Sequence, residues 1–165
     1  MKAYMALSSK VGTFSRVMAQ LSKLNISKND VFLLFGPIDI LVQFRKLKNI
    51  NEFIEKRFNP IVNITPEEPM IDKTQTFIVI SEGKVFTEKP YAFLFMNTQP
   101  RNLKIIQGKL QSSPNILSAD TVFGPYDLIC AVKASNEQEL EMLISRTQQE
   151  IPYIQGTMTA IVASF

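Results

Sequence analysis

Short runs of consecutive apolar residues recur along the chain and are separated by segments with a different apolar spacing. Such runs predict strands, because β-branched and aromatic residues fill them and turn residues bound them. The predicted strands are AYMAL (3–7), VFLLF (31–35), DILVQF (39–44), TFIVI (76–80), YAFLFM (91–96), DLICAV (127–132) and TAIVA (159–163). These strands do not alternate apolar with polar positions, which predicts that both faces of each sheet are buried.

Between the strands, apolar residues recur every three or four positions, which predicts amphipathic helices. The first pair of helices is indicated by Phe14, Val17, Met18, Leu21 and Leu24 and by Leu103, Ile106 and Leu110. The second pair is indicated by Ile50, Phe53 and Ile54 and by Leu140, Leu143, Ile144, Thr147 and Ile151. Each half of the chain therefore has two predicted helices.

The motif Phe-Gly-Pro-X-Asp occurs at 35–39 and again at 123–127, each time between two apolar runs. The segments PMIDKTQTFIVIS (69–81) and PYIQGTMTAIVAS (152–164) also align, at a shorter spacing that indicates an insertion within 58–68 of the first copy. The chain is thus predicted to be α+β, with the ferredoxin-like order β-α-β-β-α-β repeated twice.

We predict a first repeat over 1–81, a charged linker over 82–89 and a second repeat over 90–165. A single β-α-β-β-α-β unit covers one face of its sheet with its own helices, so the other face needs a second cover. We therefore expect the two sheets to pack face to face as a dimeric α+β barrel.

Composition excludes several classes of chemistry. The chain has no histidine and one cysteine, Cys130, so the commonest general base and the usual transition-metal ligands are missing. Neither a Gly-x-Gly-x-x-Gly nor a Walker-type loop occurs. We expect no metal, no cofactor and no enzyme activity, although catalysis by carboxylates alone stays open. A buried, reduced cysteine and the lack of a long apolar run predict a cytoplasmic protein without a membrane span.

The formal net charge of +3 is unevenly distributed. Residues 1–81 have 11 Lys and Arg against 7 Asp and Glu, whereas residues 82–165 have 7 against 8. The basic excess clusters around the predicted second helix of the first repeat, and no groove-reading motif accompanies it. We interpret it as a solvated helix face and expect no specific DNA binding by this chain.

The second half, VFGPYDLICAVKASNEQELEMLISRTQQEIPYIQGTMTAIVAS (122–164), resembles the effector-binding (RAM) domain of the Lrp/AsnC, or feast/famine, regulators. The resemblance rests on a Gly-x-Tyr-Asp hairpin, an apolar strand, an acidic amphipathic helix and a final strand that begins with threonines. It extends more weakly over 1–81. Because the first predicted strand stands at the start of the sequence, the chain resembles a stand-alone tandem version without a helix-turn-helix.

The resemblance implies that a small effector, usually an amino acid, binds near the hairpin and the last strand, where subunits meet. The implied ligand-binding residues of the second repeat are Gly124, Tyr126, Asp127, Thr157 and Thr159. The first repeat offers a weaker set, Gly36, Asp39, Thr74 and Thr76, with Ile38 in place of the tyrosine. The same glycine, proline and aspartate also suit a tight turn without any ligand.

Three functions are compatible with these features. The favoured one is an amino-acid-sensing regulatory module that assembles with itself, most simply as a homodimer, or with full-length Lrp/AsnC-type regulators. The second is an interaction scaffold without a ligand. The third is a cofactor-free enzyme, in which Tyr126 and Asp127 would act as acid and base.

Overall fold

The structure is a computed structural model that describes residues 1–63 and 67–163. It contains two compact units, Met1–Ile78 and Val79–Phe165. The α+β class predicted from the sequence is confirmed, because each unit combines an antiparallel sheet with helices. The assignment of each unit as a RAM-like repeat stays a prediction.

The first unit follows the order β-α-β-β-α-β. Its strands are β1 (Ala3–Ser9), β2 (Val31–Phe35), β3 (Ile40–Phe44) and β4 (Ile71–Ser81), whose last three residues belong to the second unit. Its helical segments are α1 (Phe14–Lys23), a 3-10 turn (Lys28–Asp30), and α2 (Ile50–Phe53), which continues through a π-helical turn (Ile54–Phe58) into α3 (Asn59–Val62). The strands pair in the order β4-β1-β3-β2, and every pairing is antiparallel.

The core of the first unit lies between the sheet and its helices. Met5 and Val42, on neighbouring central strands, pack in one buried cluster with Val17 and Leu21 of α1 and Phe53 of α2. This confirms the helical spacing predicted around Val17 and Leu21. It also defines one face of the sheet as the helix-covered face.

The second unit repeats the same order of elements. Its strands are β5 (Ala92–Thr98), β6 (Ile116–Phe123), β7 (Leu128–Val132) and β8 (Ile154–Val162). Its helical segments are a 3-10 turn (Pro100–Asn102), α4 (Leu103–Ser112) and α5 (Glu137–Glu150). The strands pair antiparallel in the order β8-β5-β7-β6.

The core of the second unit also lies on the helix-covered face. Leu94 and Met96 of β5 and Cys130 of β7 pack with Ile106 of α4 and Leu140 of α5. Phe93 and Phe95 alternate with Leu94 along β5 and therefore point to the opposite face. This two-sided arrangement decides which of the predicted site residues can meet.

The segment predicted as a linker is bonded to the second unit. The backbone N–H of Gly83 donates to Oδ1 of Asp120 on β6 at 2.7 Å. Nζ of Lys84 donates to the carbonyl oxygen of Gln111 on α4 at 2.6 Å, and Lys89 donates to the carbonyl oxygen of Ala163 at 2.7 Å. Both ends of 82–89 are therefore held by hydrogen bonds.

Within the described ranges, 1–63 and 67–163, no helix is long and apolar enough to cross a membrane. The same residues contain no group of three or more acidic or cysteine side chains that could hold a metal ion.

Candidate functional site

Both Phe-Gly-Pro-X-Asp motifs form the turns that the sequence predicts. Gly36 lies between β2 and β3, and Gly124 lies between β6 and β7. Gly36 has φ of 148°, which L side chains rarely adopt, so the turn requires glycine there. Gly124 does not have a positive φ, so the backbone of the second turn does not require glycine at this position.

Asp127 closes the second turn against the central strand β5. Its backbone N–H donates to the carbonyl oxygen of Met96 at 3.0 Å. Its carboxylate oxygen Oδ2 accepts from the backbone N–H of Thr98 at 2.9 Å. Thr98 is the last residue of β5 and lies just beyond a break in register between Asn97 and Thr98. The partly buried Asp127 carboxylate is thus held at the end of β5.

Asp39 plays the corresponding role in the first unit. Its backbone N–H donates to the carbonyl oxygen of Leu7 at 3.2 Å. Its Oδ2 accepts from the backbone N–H of Ser9 at 2.7 Å and also from the Ser9 hydroxyl at 3.1 Å. Both aspartates therefore accept the backbone N–H at the end of a central strand, next to a break in register. A turn aspartate can make this hydrogen bond without any ligand.

Tyr126 packs on the face of the second sheet that its helices leave uncovered. Its ring lies 5.6 Å from the ring of Phe95, centroid to centroid, and its hydroxyl lies 3.5 Å from the sulfur of Met158. Phe95 and Met158 are opposite each other in the β5–β8 ladder and share that face. Ile38 holds the corresponding place in the first unit and is buried.

Thr157 and Thr159 lie on the helix-covered face instead. They are opposite Met96 and Leu94, which belong to the helix-side core. Tyr126 is therefore separated from both threonines by the sheet. The structure brings Asp127 to the end of β5 but does not gather Tyr126, Thr157 and Thr159 around one pocket.

The weaker set in the first unit shows the same division. Thr74 is opposite Leu7 and Thr76 is opposite Met5, so both threonines lie on the helix-covered face of that sheet. Asp39 is bonded to Ser9 at the end of β1.

Thr98 is the residue of this region that the sequence did not single out. Its side chain is 2% exposed, and its hydroxyl oxygen has no hydrogen-bond partner among the described residues. The hydroxyl oxygen of Thr157 is equally buried and equally without a partner. Thr98 is opposite Ile154, which packs against the helix-side core, so the two hydroxyls share one face. A threonine at the end of an apolar strand has no distinguishing pattern, which is why the sequence gives no signal for it.

Two other buried groups lie away from this corner. Asp120 on β6 is fully buried and is opposite Ile129, on the face that the helices of the unit leave uncovered. Burial, assisted by the nearby Asp120 charge, raises the pKa of the Cys130 thiol far above its ordinary range. The thiol is therefore neutral and inert at physiological pH, as the sequence predicts for a buried cysteine.

Comparison with known proteins places the second unit in a family. A model of the Lrp/AsnC ligand binding domain matches residues 91–164. No curated protein matches the chain.

Solved structures resemble either the second half or the whole chain. FFRP-DM1 is 32% identical over 44% of this chain and 96% of its own, with a TM-score of 0.41. The Pyrococcus horikoshii protein PHS023 is 31% identical over 45% of this chain and 88% of its own, also with a TM-score of 0.41. The siroheme decarboxylase NirDL is 6% identical over 99% of this chain and 71% of its own, with a TM-score of 0.58, a likeness that shows the fold alone.

Proposed function

The chain belongs to the Lrp/AsnC ligand-binding domain family through residues 91–164, and from this premise we propose that its second unit binds a free α-amino acid. The observation that supports the proposal most is the polar corner at the end of β5. There the partly buried Asp127 carboxylate accepts the 2.9 Å hydrogen bond from the backbone N–H of Thr98. The buried hydroxyls of Thr98 and Thr157 lack protein partners in the described ranges.

The chemistry of this corner suits a zwitterion. A carboxylate can pair with an ammonium group, and hydroxyl donors can hold a carboxylate, so one small ligand could satisfy both. Among the described residues, Asp127 uses Oδ2 for the Thr98 N–H, and Oδ1 makes no hydrogen bond. Gly124 lies in the same turn as Asp127, and Tyr126 packs against Phe95 on the other face of the sheet. Thr159 lies two residues beyond Thr157 along β8, opposite Leu94.

We propose that binding is converted into regulation through assembly. The module would associate with a second copy of itself or with full-length regulators of the family, without contacting specific DNA. Light scattering at micromolar concentration tests this, because a single chain has a mass of 18.7 kDa. A mass close to that value, unchanged by amino acids, would contradict the proposal.

We also propose that the two units are tandem copies of one ferredoxin-like repeat that pair as a dimeric α+β barrel. Corresponding contacts support the common origin. Asp39 bonds Ser9 as Asp127 bonds Thr98. Asn49 accepts from the Glu52 N–H at 3.0 Å as Asn136 accepts from the Glu139 N–H at 2.9 Å, at the start of α2 and of α5. A crystal structure in which the two sheets do not face each other would disprove the pairing.

The direct test of ligand binding is calorimetric titration of the whole chain with each of the common L-α-amino acids. We expect one or a few to bind. We also expect the amino acid to be recovered unchanged by mass spectrometry after long incubation, because we propose a binding module of the cytoplasm rather than an enzyme.

The scaffold function is the strongest alternative, and a specific observation favours it. Asp39 and Asp127 make the same backbone hydrogen bond in both units, so that bond alone does not distinguish a binding turn from a structural one. If no amino acid binds at millimolar concentration, the scaffold function is preferred. If binding occurs, the scaffold function is insufficient.

A further inference from the structure

We infer that Thr98, rather than a residue of the hairpin, is the donor that recognises the carboxylate of the ligand, with Thr157 as a second donor. The inference rests on the proposed function and deepens it by naming the group that selects an α-amino acid over an amine. Three buried hydroxyls have no hydrogen-bond partner among the described residues, and two of them, those of Thr98 and Thr157, lie on the adjacent strands β5 and β8.

Burying a hydroxyl without a hydrogen bond is unfavourable, so such groups are few in folded proteins and require an explanation. Thr98 is 2% exposed, and Thr157 is partly exposed with its hydroxyl oxygen buried. Met96 is opposite Thr157 and is two positions before Thr98 on β5, so the two threonines are diagonal neighbours on one face. Two unsatisfied donors on adjacent strands suit an acceptor with two oxygens.

The first unit shows what happens when this donor is used internally. Ser9, at the end of β1, donates its hydroxyl to Oδ2 of Asp39 at 3.1 Å while its N–H donates to the same atom at 2.7 Å. Thr98, at the end of β5, donates its N–H to Asp127, and its hydroxyl has no partner in the part of the chain that the structure describes. The hydroxyl at this position is therefore engaged in the first unit and unengaged in the second. This difference supports a ligand site in the second unit alone.

The surroundings of Thr98 also favour an anionic group. Thr98 ends β5, and α4 begins at Leu103, so the positive end of the α4 dipole lies at the same end of the strand. The residue before α4, Asn102, makes no side-chain cap hydrogen bond and instead donates to the side chain of Gln99 at 3.3 Å. The N-cap residue of α4 therefore does not accept from the helix start.

The arrangement of strands places Thr98 between the two other polar groups. β5 lies between β7 and β8, so Asp127 approaches Thr98 from one side and Thr157 lies on the other. An α-ammonium group on Asp127 and an α-carboxylate on Thr98 and Thr157 would be separated by one carbon atom of the ligand. An amine that lacks the carboxylate would keep only the Asp127 contact.

The experiment measures coupling between the Thr98 hydroxyl and the ligand carboxylate. The wild-type chain and Thr98→Val are titrated with the tightest-binding amino acid and with the amine obtained by removing its carboxylate. Losing a hydrogen bond to a charged group should weaken binding of the amino acid about ten- to a hundredfold. Binding of the amine should be equal in the two proteins. Thr98→Ser keeps the donor and should bind close to wild type.

Stability provides the second readout. Because the Thr98 hydroxyl has no partner within 1–63 and 67–163, Thr98→Val should leave the melting temperature of the ligand-free protein unchanged or raise it, whereas a structural role would lower it. Ser118→Ala is the matched control. It removes the third buried hydroxyl that has no partner among the described residues, on β6 and opposite Ala131, and should not change affinity.

Three results would overturn the inference while leaving amino-acid binding intact. They are equal affinity of wild type and Thr98→Val for the amino acid, an equal loss for amino acid and amine, and a lowered melting temperature of Thr98→Val without ligand. If wild type binds no amino acid, the proposed function itself fails.

Discussion

The carboxylate of Asp127 accepts the backbone N–H of Thr98 at 2.9 Å, across the end of β5 where the β5–β8 register breaks. The same bond joins Asp39 to Ser9 at 2.7 Å, beside a register break in β1. A break leaves a backbone donor without its ladder partner, and the turn aspartate supplies the missing acceptor. The repeated motif thus has one structural role in both units. In the second unit it lies beside the buried hydroxyls of Thr98 and Thr157, which have no hydrogen-bond partner among the described residues.

Asp127→Asn and Asp39→Asn should separate the structural role from binding. Asparagine keeps an acceptor oxygen for the N–H but removes the charge that pairs with an ammonium group. Asp127→Asn should lose about 1 kcal/mol in urea denaturation. Asp39→Asn should lose more, because Oδ2 of Asp39 also accepts the Ser9 hydroxyl. Only Asp127→Asn should weaken amino-acid binding, about ten- to a hundredfold by calorimetry. Equal effects on affinity would mean that the two units bind ligand equivalently.

Two glycines of the second unit should respond to alanine in opposite directions. A Cβ on Gly83 would lie 2.5 Å from the carbonyl oxygen and 2.6 Å from the nitrogen of Ala119, which are backbone atoms that cannot rotate away. Gly83→Ala should cost about 1–3 kcal/mol in free energy of unfolding. A Cβ on Gly108, inside α4, would meet nothing within 4 Å.

Gly108→Ala is therefore the control. It should stabilise the chain by about 0.5–1 kcal/mol, because alanine has less backbone freedom than glycine in the unfolded chain and so loses less entropy when the helix forms. Both values come from the same urea titration. A neutral Gly83→Ala would show that the segment beside β6 is not held as closely as its hydrogen bond to Asp120 indicates.

Much of the fold was predictable because the spacing of apolar residues along the sequence indicates which residues of a strand or helix are buried. The run AYMAL begins where β1 begins, at Ala3, and Val17 and Leu21 of the predicted helix are buried. β1 extends to Ser9 for a different reason, since Ser8 and Ser9 still pair with β4, opposite Lys73 and Ile71. The π-helical turn Ile54–Phe58 was also not predictable, because Ile54 is 40% exposed and the spacing that marks a regular helix does not apply there.

The site was predictable only where a motif defines a turn. Asp127 follows from its motif, but its contact with Thr98 depends on the register break, which no local pattern shows. Tyr126 and Thr157 are both polar residues near the end of the sheet, yet their opposite faces follow from the pairing of Phe95 with Met158 and of Met96 with Thr157. Strand pairing is a long-range property, so these relationships required the structure.

Cys130 should resist alkylation in the native protein. It is fully buried in β7, and burial raises the pKa of its thiol, so almost no thiolate forms at neutral pH. Iodoacetamide should modify it only at the rate of unfolding, measured by mass spectrometry, and fully in urea. Rapid modification under native conditions would show that β7 opens locally.

Glu52 and Glu139 should make the stability of the chain depend on pH through the same type of hydrogen bond at the start of a helix. Each follows an asparagine N-cap by three residues, and each accepts a backbone N–H from just before its helix, from Lys48 at 2.6 Å and from Ser135 at 2.7 Å. These bonds are the main cause that holds the pKa of both carboxyls below the ordinary value of 4.5. When folding lowers the pKa of a carboxyl, the ionised carboxyl stabilises the folded state at pH values above its pKa in the unfolded state. This contribution is lost as the pH falls through the pKa in the folded state.

The double variant Glu52→Gln with Glu139→Gln should therefore melt below wild type at pH ~6, and the difference should shrink toward pH ~3 as the wild-type carboxyls take up protons. Glu141→Gln is the matched control on the same helix as Glu139, because Glu141 is exposed and makes no hydrogen bond among the described residues. It should follow wild type across the whole range. A melting difference for the double variant that stays constant with pH would mean that the two glutamates act by helix propensity rather than by charge-assisted bonds at the helix starts.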